Sequence, residues 1–138
     1  MSSGYVFTDK ANLITAVDAW IEDQDVAADI YGEINDWDVS QIKNFKGLFS
    51  GKTTFNSDIS NWDVSNGNDF SSMFANDSED GDSTANQMTF NQDISNWDVS
   101  NGTDFSQMFY HNASFNQDIS NWDVSSGTRF NATFQNAK

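Results

Sequence analysis

The chain contains no cysteine, and only six of its 138 residues are Lys or Arg. Without cysteine the fold has neither disulfides nor a thiolate metal site. The chain has 21 Asp and Glu residues, so its formal net charge is −15. That charge repels nucleic acid and anionic membrane surfaces. No apolar run approaches the ~20 residues that a membrane-spanning helix requires. We therefore expect no nucleic-acid partner and no membrane insertion.

The sequence also has little that could serve catalysis. His111 is the only histidine, and no Gly-x-Ser-x-Gly motif or phosphate-binding loop is present. Carboxylates are plentiful, but they recur in equivalent repeat positions, whereas a catalytic acid needs one environment of its own. The sequence therefore predicts a protein that is not an enzyme and has no catalytic residues.

Aromatic residues, by contrast, are abundant: twelve Phe, five Trp and three Tyr. Low hydropathy and high net charge usually indicate disorder, but these rings supply more buriable apolar surface than disordered chains carry. The length fits one domain. We expect a single folded domain over residues 1–138.

Four repeats organise this domain. The tetrapeptide WDVS begins at Trp37, Trp62, Trp97 and Trp122, with steps of 25, 35 and 25 residues. The long step indicates a ten-residue insertion at about 75–88. We therefore predict an N-terminal helical cap over 1–29 and four tandem repeats over 30–138.

Apolar spacing suggests the local structure of each repeat. Leu13, Val17 and Trp20 follow helical spacing in the cap, and Phe70, Met73 and Phe74 do so in a repeat tail. The segment Ile59-x-x-Trp62-x-Val64 has the rhythm of a leucine-rich-repeat strand. We expect a buried ladder formed by Trp62, Trp97, Val64 and Val99. The last repeat changes to TRFNATFQNAK, which we interpret as a more polar outer face.

The strand rhythm predicts a column of aspartates that points outward. It consists of Asp38, Asp63, Asp98 and Asp123, with Asn96 and Ser100 among its neighbours. Stacked strands would bring these carboxylates ~4.8 Å apart, so they need hydrogen bonds, a cation or a ligand. Asp and Ser also cap orphan backbone N–H groups, which is a purely structural role. The column is therefore either a set of caps or part of a peptide-binding site.

Three glycines stand at equivalent positions: Gly67, Gly102 and Gly127. Each is followed three residues later by Phe, so the ring could fill the space that the glycine leaves. Alternatively, the glycines form a trough that a peptide backbone can approach closely. Both interpretations stay open at the level of sequence.

The insertion is strongly acidic and contains Asp77, Glu79, Asp80 and Asp82 around Gly81. Oxygen ligands at closely spaced positions with a glycine for the turn suit Ca²⁺. The spacing is not that of an EF-hand, and an acidic loop is often only solvated. We predict these four residues as a calcium site, with calcium as the cofactor.

The unit FNQDISNWDVSNGTDFSQMF resembles a bacterial surface-protein repeat of about 26 residues, a leucine-rich-repeat relative found in adhesins and lipoproteins. The acidic, cysteine-free composition is more loosely similar to the peptide-binding module of calcium-dependent RTX adhesins. The resemblance implies an α/β fold: a right-handed, leucine-rich-repeat-like solenoid of short parallel strands and short helices with an N-terminal capping helix. It also implies an extracellular, cell-surface location.

Together these observations predict a ligand-binding module of a bacterial surface adhesin. It would bind a short peptide or protein C-terminus on the strand face, with calcium, and would be a monomeric domain of a larger protein. The partner would be a peptide or protein on a host or neighbouring cell. A carbohydrate-binding adhesin domain and a structural spacer are the alternatives.

Overall fold

The computed structural model describes residues 5–76 and 88–134. Its α-helices lie at the N-terminal end: α1 is Lys10–Glu22 and α2 is Gln24–Tyr31, followed by a 3-10 turn at Ile34–Asp36. Helix α1 begins after Asp9, whose carboxylate accepts the backbone N–H of Asn12 at 2.8 Å. The predicted N-terminal helix is confirmed. Neither helix is long and apolar enough to cross a membrane.

Helix α1 packs its apolar side on the first repeat. Leu13, Val17 and Trp20 are buried, and the ring of Trp20 meets Trp37 edge-on at 5.9 Å. The indole N–H of Trp20 also donates to Ser57 Oγ at 3.0 Å. The helix therefore covers apolar rings that would otherwise end the repeat stack in water.

The predicted solenoid of parallel strands is wrong. In residues 5–76 and 88–134 there is no β-strand; parallel pairing consists of isolated bridges. One bridge joins Val6 to Asp38, and a series joins Asn44 to Asp69, Asp69 to Asp104 and Asp104 to Arg129. The repeats are instead coils of turns that stack on one another.

Closely spaced bends of the backbone, which we call corners, explain why no strand forms. The motif Asp-apolar-Ser occurs three times in the second repeat, at residues 58–60, 63–65 and 69–71. In each case the Ser backbone N–H donates to the Asp carboxylate, at 2.9, 3.0 and 2.9 Å. Such Asx turns bend the backbone. Because the corners follow one another within a few residues, no extended segment reaches the length of an ordinary strand.

The predicted helices of the repeat tails are also absent. The backbone N–H of Met73 donates to the carbonyl of Phe70 at 3.3 Å, and Ser72 between them has φ 57°. A left-handed residue at this position closes a β-turn and stops a helix. The same turn recurs with positive φ at Gly47, Gln107 and Ala132.

Backbone N–H groups of these turns bond to the following repeat rather than along a helix. Phe70, Ser72 and Phe74 donate to the carbonyls of Asp104, Ser106 and Met108 at 2.9, 3.0 and 2.9 Å. The turn still directs Phe70, Met73 and Phe74 into the core, where each is fully buried. The apolar spacing is therefore satisfied by a turn instead of a helix.

Stacked rings fill the core. Two columns of Phe rings run through all four repeats with centroids 5.4 to 5.6 Å apart: Phe45, Phe70, Phe105, Phe130 and Phe49, Phe74, Phe109, Phe134. The predicted buried ladder is confirmed, since Trp62, Trp97, Val64 and Val99 are at most 3% exposed.

Each tryptophan also fixes the register between neighbouring repeats. The indole N–H of Trp62 donates to the carbonyl of Ile34 at 2.7 Å, and that of Trp97 donates to Ile59 at 3.0 Å. The same carbonyls accept the backbone N–H of the Trp in their own repeat, as in Trp62 to Ile59 at 3.1 Å. A buried indole N–H requires a partner, so each repeat can dock in one register only.

Candidate functional site

The predicted aspartate column lies at one set of corners. Asp63, Asp98 and Asp123 are exposed, and Asp38 is half-buried. The Asp98 carboxylate accepts the Ser100 backbone N–H at 3.0 Å and its hydroxyl at 2.6 Å. Asn96 is exposed beside this corner. The aspartates of the column therefore make the contacts expected of caps. This is the structural role that the sequence allowed beside peptide binding.

Hydrogen bonding lowers the pKa of three carboxylates of the column, those of Asp38, Asp98 and Asp123. The hydroxyl of Ser100 and then its backbone N–H lower the pKa of Asp98, against smaller opposing effects of burial and of Asp123. Ser40 lowers the pKa of Asp38 in the same way. A charge-assisted donor for each carboxylate offsets the repulsion between successive repeats. Asp38, Asp98 and Asp123 thus carry a fixed negative charge at neutral pH.

Phe rings occupy the space beside the three glycines. A Cβ at Gly102 would lie 2.5 Å from Cζ of Phe105, and one at Gly67 would lie 2.6 Å from Cζ of Phe70. Gly127 meets Phe130 in the same way. The N–H of Gly102 donates to the carbonyl of Val99 at 2.8 Å. Ring packing accounts for these glycines, and their N–H groups already have acceptors.

The predicted calcium ligands Asp77, Glu79, Asp80 and Asp82 lie outside the described residues. Within the part of the chain that the structure describes, no group of three or more His, Cys, Asp or Glu side chains is placed to hold a metal ion. The calcium site stays a prediction.

A groove lined by lysines lies between α1 and the first repeat tail. Its volume is about 450 Å³, and Lys10, Lys46 and Lys52 line it together with Ile14 and Leu48. We call it the lysine groove. Lys10 donates to the carbonyl of Lys46 at 2.7 Å, and Lys52 pairs with Asp18 at 2.8 Å. Lys46 is exposed, and its ammonium makes no hydrogen bond or ion pair with the described residues, although its charge acts on Asp104 and Lys10.

The lysine groove gathers half of the six basic residues of an acidic chain. Burial is the main effect on Lys10 and lowers its pKa, while Asp69 acts in the opposite direction. Sequence reasoning missed this groove because Lys10 and Lys46 are 36 residues apart. Only the docking of α1 on the first repeat brings them together.

The last described coil of the stack presents an exposed apolar surface. Val124, Phe130 and Phe134 are 37%, 45% and 53% exposed, whereas their counterparts in the preceding repeat are buried. With Trp122 and Ile119 they line a cavity of about 320 Å³. We call this surface the open end. The last repeat is a more polar outer face only in part: Thr133 stands at the position of Met108, but Val124, Phe130 and Phe134 keep apolar side chains and are exposed.

These features define an acidic repeat domain of stacked coils, with a helical cap at one end and apolar residues at the other. The family described as "Mycoplasma protein of unknown function, DUF285" matches residues 22–138, and the chain belongs to this family. No curated protein and no solved structure matches the chain.

The family assignment corrects the resemblance that the sequence suggested. The chain is not the peptide-binding module of an RTX adhesin. The leucine-rich-repeat pattern was also misleading, because that pattern implies a strand in each repeat and the described residues form none. Short-range spacing of Ile, Trp and Val is compatible with both architectures, since both bury the same positions.

Proposed function

We propose that this domain is a non-enzymatic ligand-binding module of a bacterial surface protein, and that its ligand is a peptide or protein segment with a free C-terminal carboxylate. The lysine groove supports this proposal most directly. It is a concavity within the usual size range of ligand sites. It combines the ammonium of Lys46, which makes no hydrogen bond or ion pair with the described residues, with apolar contacts from Ile14 and Leu48.

Charge favours the lysine groove over the aspartate column for a carboxylate. Like charges at ~4 Å repel by several kcal/mol at an intermediate dielectric, so the ionised carboxylates of Asp98 and Asp123 would repel the carboxylate of the ligand. An ammonium in a groove attracts it and provides three N–H donors. The net charge of −15 favours basic side chains elsewhere in the ligand.

A peptide library displayed with free C-termini tests the proposal. Selected peptides should bind wild-type protein and lose affinity when their C-termini are amidated. Lys46→Gln should weaken binding by about tenfold, as expected for the loss of a charge-assisted contact worth ~1.5 kcal/mol. Lys43→Gln is the matched control, because Lys43 is exposed nearby but does not line the lysine groove.

Equal binding of free and amidated peptides, or equal effects of the two substitutions, would refute the lysine groove as the site. A glycan array should be run in parallel. Selective glycan binding with no peptide binding would replace the proposal with a carbohydrate-binding function, and the absence of any ligand in both screens would favour a spacer.

A further inference from the structure

An asparagine precedes the equivalent glycine in two of the repeats. It is Asn66 in the second repeat and Asn101 in the third. The side-chain amide of Asn66 donates to the carbonyl of Ser40 at 2.7 Å, and that of Asn101 donates to the carbonyl of Ser65 at 2.7 Å. Each acceptor belongs to the preceding repeat. Each amide therefore holds its coil to the coil before it, and we call these two hydrogen bonds the amide staples.

Packing fixes the glycine that follows each asparagine. Phe rings occupy the space beside Gly67 and Gly102, so a side chain at either position would collide with a ring. The backbone N–H of each glycine also closes a turn, because it donates to the carbonyl of Val64 or Val99 at 2.8 Å. The asparagines are exposed, whereas the two glycines are buried. The fold therefore requires the sequence Asn-Gly for two separate reasons, one for each residue of the pair.

The same sequence is chemically unstable. Asparagine is a thermolabile residue, and it reacts fastest when glycine follows, because glycine has no side chain to hinder the approach and its backbone is flexible. The backbone nitrogen of the glycine attacks the side-chain carbonyl carbon, and a C–N bond forms to give a succinimide ring. The bond to the amide nitrogen breaks, and ammonia leaves with the proton of the backbone nitrogen. Water then opens the ring to aspartate or isoaspartate.

Native contacts restrain both reacting groups. The N–H of Gly102 is directed at the carbonyl of Val99, and the amide of Asn101 is held by Ser65. For the attack, the Asn101 side chain has to turn toward the nitrogen of the following glycine, and this movement breaks the amide staple. Local opening of a coil releases both restraints together. The rate of the reaction should therefore depend on how often the coil opens.

The product cannot form the staple again. An ionised aspartate at position 101 has no N–H to donate, so its oxygens would face the carbonyl oxygen of Ser65 without a hydrogen bond. Isoaspartate also lengthens the backbone inside the turn that the N–H of Gly102 closes. Either product adds a negative charge to a chain whose net charge is already −15. Reaction in an open coil should therefore prevent the native stack from re-forming.

We propose that Asn66 and Asn101 are self-modification sites, which convert to aspartate or isoaspartate when their coils open and so make the opening irreversible. Water is the co-reactant, and ammonia is released. The last repeat has Ser126 before its glycine and therefore lacks such a site. This inference does not depend on the lysine groove.

Peptide mapping by mass spectrometry, in water labelled with heavy oxygen, measures the conversion of each asparagine. The whole protein is incubated at mildly alkaline pH, once in native buffer and once in guanidinium chloride. Asn66 and Asn101 should convert in the denatured protein. They should convert at least about tenfold more slowly in native buffer, since an opening free energy of only ~1.4 kcal/mol gives that ratio. Asn61 and Asn96, each followed by tryptophan, are internal controls and should stay unmodified.

Refolding after this incubation tests irreversibility. Wild-type protein should recover its near-ultraviolet circular dichroism only in proportion to the fraction that is unconverted. A variant with Asn66→Ser and Asn101→Ser, which copies the serine of the last repeat, should refold as well after the incubation as before it. In a separate melt, Asn101→Asp should lower the melting temperature more than Asn96→Asp does, because Asn96→Asp adds the same charge at an exposed neighbouring position without removing a staple.

Several results would overturn the proposal. They are no conversion in the denatured protein, equal rates in the two buffers, equal conversion of the control asparagines, or full refolding of the converted protein. Equal melting temperatures for Asn101→Asp and Asn96→Asp would show that the amide staple does not hold the stack, and would also overturn it.

Discussion

Ser100 shows how a single residue can fix both the backbone bend and the ionised carboxylate of a corner. Its N–H and hydroxyl both donate to Asp98, so the backbone bend and the ionised carboxylate depend on the same contact. The sequence predicted that Asp98 has polar neighbours. It could not distinguish capping from ligand binding, because Asp followed closely by Ser suits both roles.

Removing the hydroxyl should have a pH-dependent cost. Ser100→Ala should lower the free energy of unfolding at pH 7 by about 1 kcal/mol or less, as expected for one exposed hydrogen bond. Because the pKa of Asp98 is lowered in the fold, this stabilisation is present above its unfolded pKa of about 3.9 and is lost as pH falls through the folded pKa.

Urea unfolding at neutral pH and below about pH 3 measures the effect. Ser60→Ala is the control, because Ser60 donates only its backbone N–H to Asp58. If wild type and Ser100→Ala differ in free energy of unfolding by the same amount at both pH values, this account is contradicted.

Gly102 distinguishes a filled core from a ligand trough. Gly102→Ala places a Cβ 2.5 Å from Cζ of Phe105, and we expect a loss of about 1–3 kcal/mol from overpacking. Adding Phe105→Leu should recover part of this loss, and a double-mutant cycle measures the coupling. An unchanged melting temperature together with weaker peptide binding would favour the trough.

At the scale of elements, the repeat tails show where spacing stops being informative. Phe105, Met108 and Phe109 have helical spacing, yet they lie on a β-turn with Gln107 at φ 57°. Both arrangements bury the same three side chains. The deciding factor is the acceptor for the backbone N–H groups, which belongs to the next repeat and lies more than 20 residues away. The α1 helix was predictable because its cap and apolar face are local.

A glycine should suit the turn better than glutamine does. A left-handed conformation costs a non-glycine residue about 1–2 kcal/mol. Glycine avoids this strain, but it costs ~0.5–1 kcal/mol of stability because its backbone has more conformational freedom in the unfolded state. Gln107→Gly should therefore stabilise the protein by up to about 1 kcal/mol, reproducing Gly47 of the first repeat. Asn96→Gly, at a position with negative φ, should destabilise it. Thermal melts measure both; a lower melting temperature for Gln107→Gly would show that the turn is incorrectly assigned.

At the scale of the whole molecule, the main features are the net charge and the two ends of the stack. The net charge of −15 is visible in the sequence, and so is the need for an N-terminal cap. The lysine groove and the open end were not predicted, because each depends on how separate segments meet. Phe130 and Phe134 follow the repeat pattern, so the sequence does not reveal that no other described residue covers them.

Salt and calcium should stabilise the protein by separable amounts. Sodium chloride should raise the melting temperature by screening the −15 charge. If Asp77, Glu79, Asp80 and Asp82 bind calcium as predicted, calcium should add up to ~2.7 kcal/mol at a hundredfold excess over Kd. EDTA should remove the added increment.

Magnesium at matched ionic strength and a variant with all four residues changed to their amides are the controls. The gain in stability could be the same with calcium and magnesium, or it could persist after the four substitutions. Either result would mean that charge screening explains the whole gain.

Amide hydrogen exchange followed by NMR tests most directly the central claim that repeats stack by hydrogen bonds from each coil to the next. It also tests whether the N–H groups of the last described coil lack such acceptors. The N–H groups of Phe105, Gln107 and Phe109 should be strongly protected, because each donates to the following repeat. Those of Phe130, Ala132 and Phe134 should exchange rapidly. Equal protection of the two sets, or no protection in the third repeat, would contradict the account.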